Sequence, residues 1–94
     1  MSDIRAILAL EPAHFEWKGQ RLLLKRPSLT DLIDATQANE KGVAFARSWA
    51  LWRHLLDENG TPVFESPDAA MACPLALALA ANERIEHLYS EGSN

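Results

Sequence analysis

Cysteine is nearly absent from this sequence, and Cys73 is its single example. One cysteine cannot form an internal disulfide or a cysteine-rich zinc module, and it fits a reducing compartment. No apolar run reaches the roughly 18 residues that a membrane-spanning helix requires. Met1 is followed by Ser2 and Asp3, not by a basic start and a hydrophobic signal core. The sequence therefore predicts neither export nor a membrane span, and we expect a cytoplasmic protein.

The sequence also has no excess of basic over acidic residues. The chain has 94 residues, with 9 Lys and Arg against 13 Asp and Glu and a formal charge of −4. Domains that bind nucleic acid usually carry net positive charge, so the balance disfavours a general nucleic-acid binder. The charge is uneven, because residues 1–56 carry a net +2 and residues 57–94 a net −6. Such halves allow head-to-tail association of copies, a partner of mixed charge, or simply a solvated acidic end.

Clustered catalytic and metal-binding motifs are missing as well. His14, His54 and His87 lie far apart in the sequence, and no H-x-x-x-H or C-x-x-C spacing occurs. The glycines are scattered, so the sequence contains no phosphate-binding loop. Asp31 and Asp34 are assigned to one solvated side of a helix. We therefore expect no enzyme, no cofactor and no metal site.

The length and composition indicate one domain over residues 1–94 with a modest core. The pattern predicts a mainly α (α+β) fold, a small helical domain with one N-terminal β-hairpin packed on the helices. The predicted elements are a helix over 3–10, a hairpin over 14–26, a helix over 28–39, a central helix over 43–56, a turn and loop over 57–65, a short helix over 67–73 and a terminal helix over 75–89.

Two local signals support the helix over 28–39. Ser28, with Asp31 three residues later, predicts a capping box at its start. An amphipathic face is predicted by the helical spacing of four residues, Leu29, Leu32, Ile33 and Thr36.

The central helix has a heptad-like apolar stripe of Phe45, Trp49, Trp52 and Leu56. Its polar residues Arg47 and His54 lie seven apart, on one narrow strip. Tryptophan is a preferred anchor at protein interfaces. Two interpretations stay open. Trp49 and Trp52 fill the core, or one of them, or Phe64, lies on a surface that a partner buries.

Residues 28–56 form a helix, a break and a second helix, which raises the question of DNA binding. A recognition helix needs exposed polar residues that reach base edges, whereas this second helix is apolar around most of its girth. The basic residues cluster on the predicted hairpin instead. That cluster is either a solvated or partner-facing side or, as a weaker alternative, a nucleic-acid contact. The candidate partner-binding residues are Trp49, Trp52, Phe64, Arg21, Lys25 and Arg26, and Lys18 completes the basic cluster.

Three short patterns occur in a particular order along the chain. A W-x-G pattern at Trp17 and Gly19 precedes Arg26-Pro27-Ser28, and the Trp-rich helix leads into a D-x-x-G-x-P-x-F turn from Asp57 to Phe64. In this order of elements the chain resembles the tail assembly chaperones of long-tailed bacteriophages and their prophages. The resemblance covers nearly the whole chain, and the D-x-x-G-x-P-x-F segment is its specific part.

The resemblance implies a non-enzymatic role in the bacterial host cytoplasm. Such chaperones coat the tape measure protein, keep its long helices soluble before the tail tube polymerises, and are absent from the virion. The expected partners are the tape measure protein and, as a further candidate, the major tail protein, with weak self-association and no nucleic-acid or membrane partner. The alternatives are a small phage or bacterial adaptor or inhibitor that binds a single host protein, and a small enzyme or enzyme subunit.

Overall fold

A computed structural model describes residues 11–92 of the chain, and the predicted helix over 3–10 lies outside them. The described chain forms strands β1 (Ala13–Trp17) and β2 (Gln20–Leu24), helices α1 (Leu29–Glu40) and α2 (Val43–His54), strand β3 (Leu55–Leu56), and helices α3 (Pro67–Ala70) and α4 (Leu75–Gly92). The predicted fold class is confirmed, because an N-terminal antiparallel sheet packs on a set of helices.

The hairpin forms because two residues between its strands accept positive φ angles. Lys18 has φ 48° and Gly19 has φ 81°, which suits the two-residue turn that matches the twist of paired strands. The antiparallel register joins Ala13 to Leu24 and Trp17 to Gln20. Ala13 and Leu24 are buried, so the end of the hairpin away from the turn belongs to the core.

The central helix is shorter than the predicted span of 43–56, because α2 ends at His54. Leu55 leaves the helix with ψ 119°, and Leu55 and Leu56 pair with Leu24 and Leu23 as a third strand. The free edge of β2 offers these residues hydrogen bonds, and the Lys25 amide donates to the His54 carbonyl at 2.8 Å. The apolar spacing through residue 56 fits a helix and a buried strand equally well, which is why periodicity alone missed β3.

The other boundaries differ by a few residues. Helix α1 begins at Leu29 with Ser28 as its N-cap, and the predicted capping box is confirmed. The Ser28 hydroxyl accepts from the Asp31 amide at 3.2 Å, and the Asp31 carboxylate accepts from the Ser28 amide at 2.9 Å. Helix α3 ends at Ala70, not at residue 73, and α4 continues to Gly92, beyond the predicted 89.

Helix α2 lies at the centre of the helical layer and packs against α1, α3 and α4. Its buried face includes Trp49, Ala50 and Leu51. Helix α4 supplies Ile85 and Leu88, part of a face whose spacing follows the helical repeat. Helices α1 and α4 approach each other at Tyr89, whose hydroxyl lies 3.5 Å from the Asp31 carbonyl.

An apolar stripe on a helix ordinarily packs against the core. In α1 the apolar stripe faces outward, and the opposite face is buried. Leu29 is 74% exposed, and Leu32 and Ile33 are each 51% exposed. Asp31 and Ala38 are the buried residues of this helix, so the assignment of Asp31 to a solvated side is wrong. The physical reason is the set of partners that Asp31 meets on the inner side, which are the nearby Ser28 and Lys25 and the distant Arg53, 22 residues further along the chain.

Candidate functional site

An open groove of about 620 Å³ lies between α1 and α4, with α2 as its floor. Helices α1 and α4 each pack on α2, but they make few contacts with each other. Ala46, Trp49 and Ala50 of α2 line the groove, together with Ala35 of α1 and Ile85 of α4. We refer to it as the α1–α4 groove.

Exposed apolar side chains continue from the α1–α4 groove onto its margins. Val43, which lines the groove at the start of α2, is 69% exposed. On α4, Leu75 and Leu79 lie on the same helical stripe as the groove residues Asn82 and Glu86, at spacings of four, three and four. Of the exposed apolar residues, Leu32 and Val43 line the groove itself, and the helices that form its walls also expose Leu29, Ile33, Leu75 and Leu79. Soluble monomers seldom expose a large contiguous apolar patch unless it binds something.

Two oppositely charged residues stand at the edge of the groove. Arg47 of α2 and Glu86 of α4 both line it, and neither forms an ion pair within residues 11–92. The Asn82 side-chain amide donates to the Ala78 carbonyl at 2.9 Å and reaches the Arg47 carbonyl at 3.5 Å. The main chain of Arg47 therefore lies level with Asn82, which is one helical turn before Glu86 on α4.

A buried carboxylate turns the apolar stripe of α1 outward. Asp31 is fully buried and accepts from Lys25 Nζ at 2.7 Å and from Arg53 Nη1 at 2.8 Å. Arg53 Nη2 donates to Asp34 at 2.8 Å, so one guanidinium holds two carboxylates of α1. Burial alone would raise the pKa of Asp31, but hydrogen bonds from Lys25 and the Ser28 amide hold that pKa below its usual value.

A second buried polar group, His54, joins the sheet, α2 and α4. Its Nδ1 lies 2.8 Å from the Lys25 carbonyl, which only accepts, so Nδ1 carries the proton and Nε2 accepts from the Tyr89 hydroxyl at 2.7 Å. Burial lowers the pKa of His54 and raises that of Tyr89. The predicted polar strip of Arg47 and His54 is therefore wrong for His54, which is fully buried.

The aromatic candidates lie in different settings. Trp49 is 7% exposed and lines the α1–α4 groove. Trp52 and Phe64 are half-buried and pack against the core. The Arg53 guanidinium carbon lies 5.1 Å from the Trp49 ring centroid and 5.2 Å from that of Trp52. Among the three, Trp49 is the one placed in the groove.

The basic candidates lie outside the groove. Lys25 is bound to Asp31, and Arg26 donates to the Glu11 carbonyl at 2.9 Å and lies 3.7 Å from Glu91. Arg21 is exposed on the hairpin. Lys25 shares Asp31 with Arg53, which in turn lies against both tryptophans, whereas Arg21 and Arg26 have no such link to them within residues 11–92.

Sequence reasoning missed the exposed residues of the groove margin. The spacing of Leu29, Leu32 and Ile33 predicts one apolar face of α1, but it does not show that this face points outward. The partners of Asp31 decide that orientation. The available signal was Asp31 itself, because a buried acid at a capping position requires cations from elsewhere, here Lys25 and Arg53.

Comparisons of the chain with protein-family models, curated proteins and solved structures gave no match. Within residues 11–92, no group of three or more His, Cys, Asp or Glu side chains is arranged to hold a metal ion. None of the helices in this part of the chain has the length and apolar character that crossing a bilayer requires.

Proposed function

We propose that this protein is a non-enzymatic assembly chaperone that covers an apolar segment of another protein with its α1–α4 groove and the apolar margins. The observation that supports this is the outward face of α1, where Leu29, Leu32 and Ile33 are exposed on a folded, negatively charged domain. Complete burial of a fully exposed Leu or Ile contributes about 1.5–3 kcal/mol, and half to three-quarters of each of these side chains is still exposed, so several together favour a complex.

The resemblance to tail assembly chaperones supplies the partner in this proposal, a phage tape measure protein. A tape measure protein presents long helices before the tail tube encloses them, and such helices need an apolar cover that can be removed. The groove suits this role because it is open to solvent, whereas most small-molecule sites enclose their ligand. The proposal includes no catalytic step.

Co-expression with the tape measure protein from the same gene cluster tests this function. We expect the tape measure protein to stay in the soluble fraction and to co-purify with the chain. Leu32→Ser should reduce its recovery, whereas Met71→Ser, which also removes an exposed apolar side chain but lies outside the groove, should not. An equally soluble tape measure protein without the chain would contradict the proposal.

A second candidate is an adaptor or inhibitor that binds a single host protein. The charged pair at the groove edge, Arg47 and Glu86, favours it because charges at a rim select one partner over others. The genes beside this one separate the two candidates. A chaperone gene is expected between genes for a major tail protein and a very long tape measure protein, and an adaptor gene requires neither.

A further inference from the structure

We propose that the α1–α4 groove receives a single amphipathic α-helix of the partner, which lies along α2 as a fourth helix beside α1 and α4. In this arrangement an acidic side chain of the incoming helix faces Arg47 and a basic one faces Glu86. The inference deepens the proposed function, on which it rests only for the identity of the partner, because it names the structural element and the charges that the groove recognises.

The length of the groove and its small lining residues fit a helix. On α4 the lining runs over the nine residues from Asn82 to Ser90, a rise of about 12 Å, which is slightly more than two helical turns. A helix of that length presents apolar anchors at positions i, i+3 or i+4, and i+7. Small residues, Ala35, Ala46 and Ala50, line the wall and floor, and they allow helix axes to approach to about 8–10 Å.

Backbone hydrogen bonding favours a helix over an extended segment in this groove. Its walls and floor are formed by α1, α2 and α4, whose interior amides and carbonyls are already paired within each helix. An extended segment would enter with its own amides and carbonyls unpaired, and unpaired buried groups are costly. A helix arrives with these groups satisfied, so it can bury apolar side chains without that loss.

Charge complementarity specifies the partner further. Arg47 and Glu86 line the groove without an ion-pair partner within the described residues, and the Arg47 main chain lies about one helical turn from Glu86 along α4. A partner helix with one acid and one base about four residues apart matches both. A helix with two acids or two bases matches one and is repelled by the other.

Three peptides of 16 residues test this inference with the full-length protein. All share Leu at i, i+3, i+4 and i+7 on an Ala and Gln background. Their two flanking positions, four residues apart, carry Glu and Lys, two Glu, or two Lys. Titration calorimetry measures binding, and tryptophan emission compared between the unchanged protein and Trp49→Phe shows whether Trp49, on the groove floor, responds to the peptide. For the unchanged protein, we expect the mixed peptide to bind about three- to fivefold more tightly than either other peptide at low salt.

Charge-reversal variants test whether Arg47 and Glu86 cause this preference among the peptides. With Arg47→Glu, the peptide with two Lys should become the tightest, and with Glu86→Arg, the peptide with two Glu should. These preferences should fade at 1 M salt, where charges are screened within about 3 Å. Leu32→Ser should weaken all three peptides about fivefold or more, while Met71→Ser leaves them unchanged.

Several results would overturn the inference. If the variants leave the order of the three peptides unchanged, Arg47 and Glu86 do not select the partner. If Met71→Ser weakens binding as much as Leu32→Ser, the peptides bind elsewhere. If no peptide binds, and sedimentation shows a dimer that Leu32→Ser dissociates, the occupant is a second copy of the chain. If the peptides follow the expected order but the tape measure protein does not co-purify, the proposed function fails and this inference stands.

Discussion

The Tyr89 hydroxyl donates a hydrogen bond to the buried Nε2 of His54 over 2.7 Å, at the place where α4 crosses the end of α2. The two rings meet edge to face, with centroids 5.3 Å apart. On its other side, the His54 Nδ1 donates to the Lys25 carbonyl where β2 ends. One imidazole therefore connects the sheet, α2 and α4, and it fixes the helix that forms one wall of the α1–α4 groove.

Tyr89→Phe should lower the free energy of unfolding by about 1–3 kcal/mol, because it leaves the buried Nε2 of His54 without a donor. Urea unfolding followed by tryptophan fluorescence measures the change. Thr36→Val is the matched control, since it also removes one hydroxyl, but from an exposed position. It should change stability by less than about 0.5 kcal/mol. Equal losses of unfolding free energy in the two variants would show that the Tyr89 hydroxyl stabilises the fold no more than an exposed hydroxyl does.

Acid should destabilise the protein through His54. Burial lowers the pKa of folded His54 below the 6.5 of an unperturbed histidine, so the unfolded chain binds a proton that the folded chain excludes. The stability contribution of neutral His54 is therefore complete above pH 6.5 and declines as the pH falls from 6.5 towards the pKa of the folded state. Urea midpoints at pH 7.5, 6.5 and 5.5 should decrease in that order.

Two histidine substitutions separate His54 from the other titrating groups. In His54→Gln, the decrease between pH 6.5 and 5.5 should shrink, although the variant is less stable at every pH. His87→Gln removes an exposed histidine and should leave the decrease as it is. The acid effect does not come from His54 if both variants keep the full decrease.

The two carboxylates of α1 should differ sharply in their effect on stability. Asp31→Asn leaves Arg53 and Lys25 without their buried anion, and the loss should be about 3 kcal/mol. Asp34→Asn removes a carboxylate that is one-third exposed and has Arg53 as its ion-pair partner, so we expect about 1 kcal/mol or less. Thermal or urea unfolding of both variants measures the difference, and similar losses would contradict the central role of Asp31.

Asp31 should cause a further loss of stability, at a lower pH than the loss caused by His54. Its folded pKa is lower than the model-peptide value of 3.8, so its contribution is present above that value and is lost as the pH falls through the folded pKa. The stability of Asp31→Asn should therefore depend less on pH below about 4 than that of the unchanged protein.

Local signals were sufficient to predict the hairpin, the start of α1 and the central position of α2. Gly19 between two short strands, and Ser28 followed by Asp31, act within a few residues of chain. The features that shape the groove depend on pairs distant in sequence. Asp31 and Arg53 are 22 residues apart, and His54 and Tyr89 are 35 apart, so no local sequence pattern predicts that these residues are in contact.

The same reasoning explains why strand β3 and the outward face of α1 were missed. Leu55 and Leu56 satisfy a helical repeat and also fill a buried strand, and the pairing with Leu23 and Leu24 decides between them. In α1, either the apolar stripe or the capping residue Asp31 can face the core, because they lie on different sides of the helix. The two cations that contact Asp31 decide between these faces, and the apolar residues remain exposed on the surface.

The outward face of α1 gives the most direct test of the candidate site, because it separates binding from folding. Leu29→Ser and Ile33→Ser should each change the free energy of unfolding by less than about 0.5 kcal/mol, since both side chains are exposed. Ile85→Ala, by contrast, removes a buried side chain from α4 and should cost about 2–5 kcal/mol. The serine variants should nevertheless weaken capture of the tape measure protein, because the apolar area that they remove lies on the proposed contact surface. Serine variants that lose stability like Ile85→Ala would instead place this face against the core.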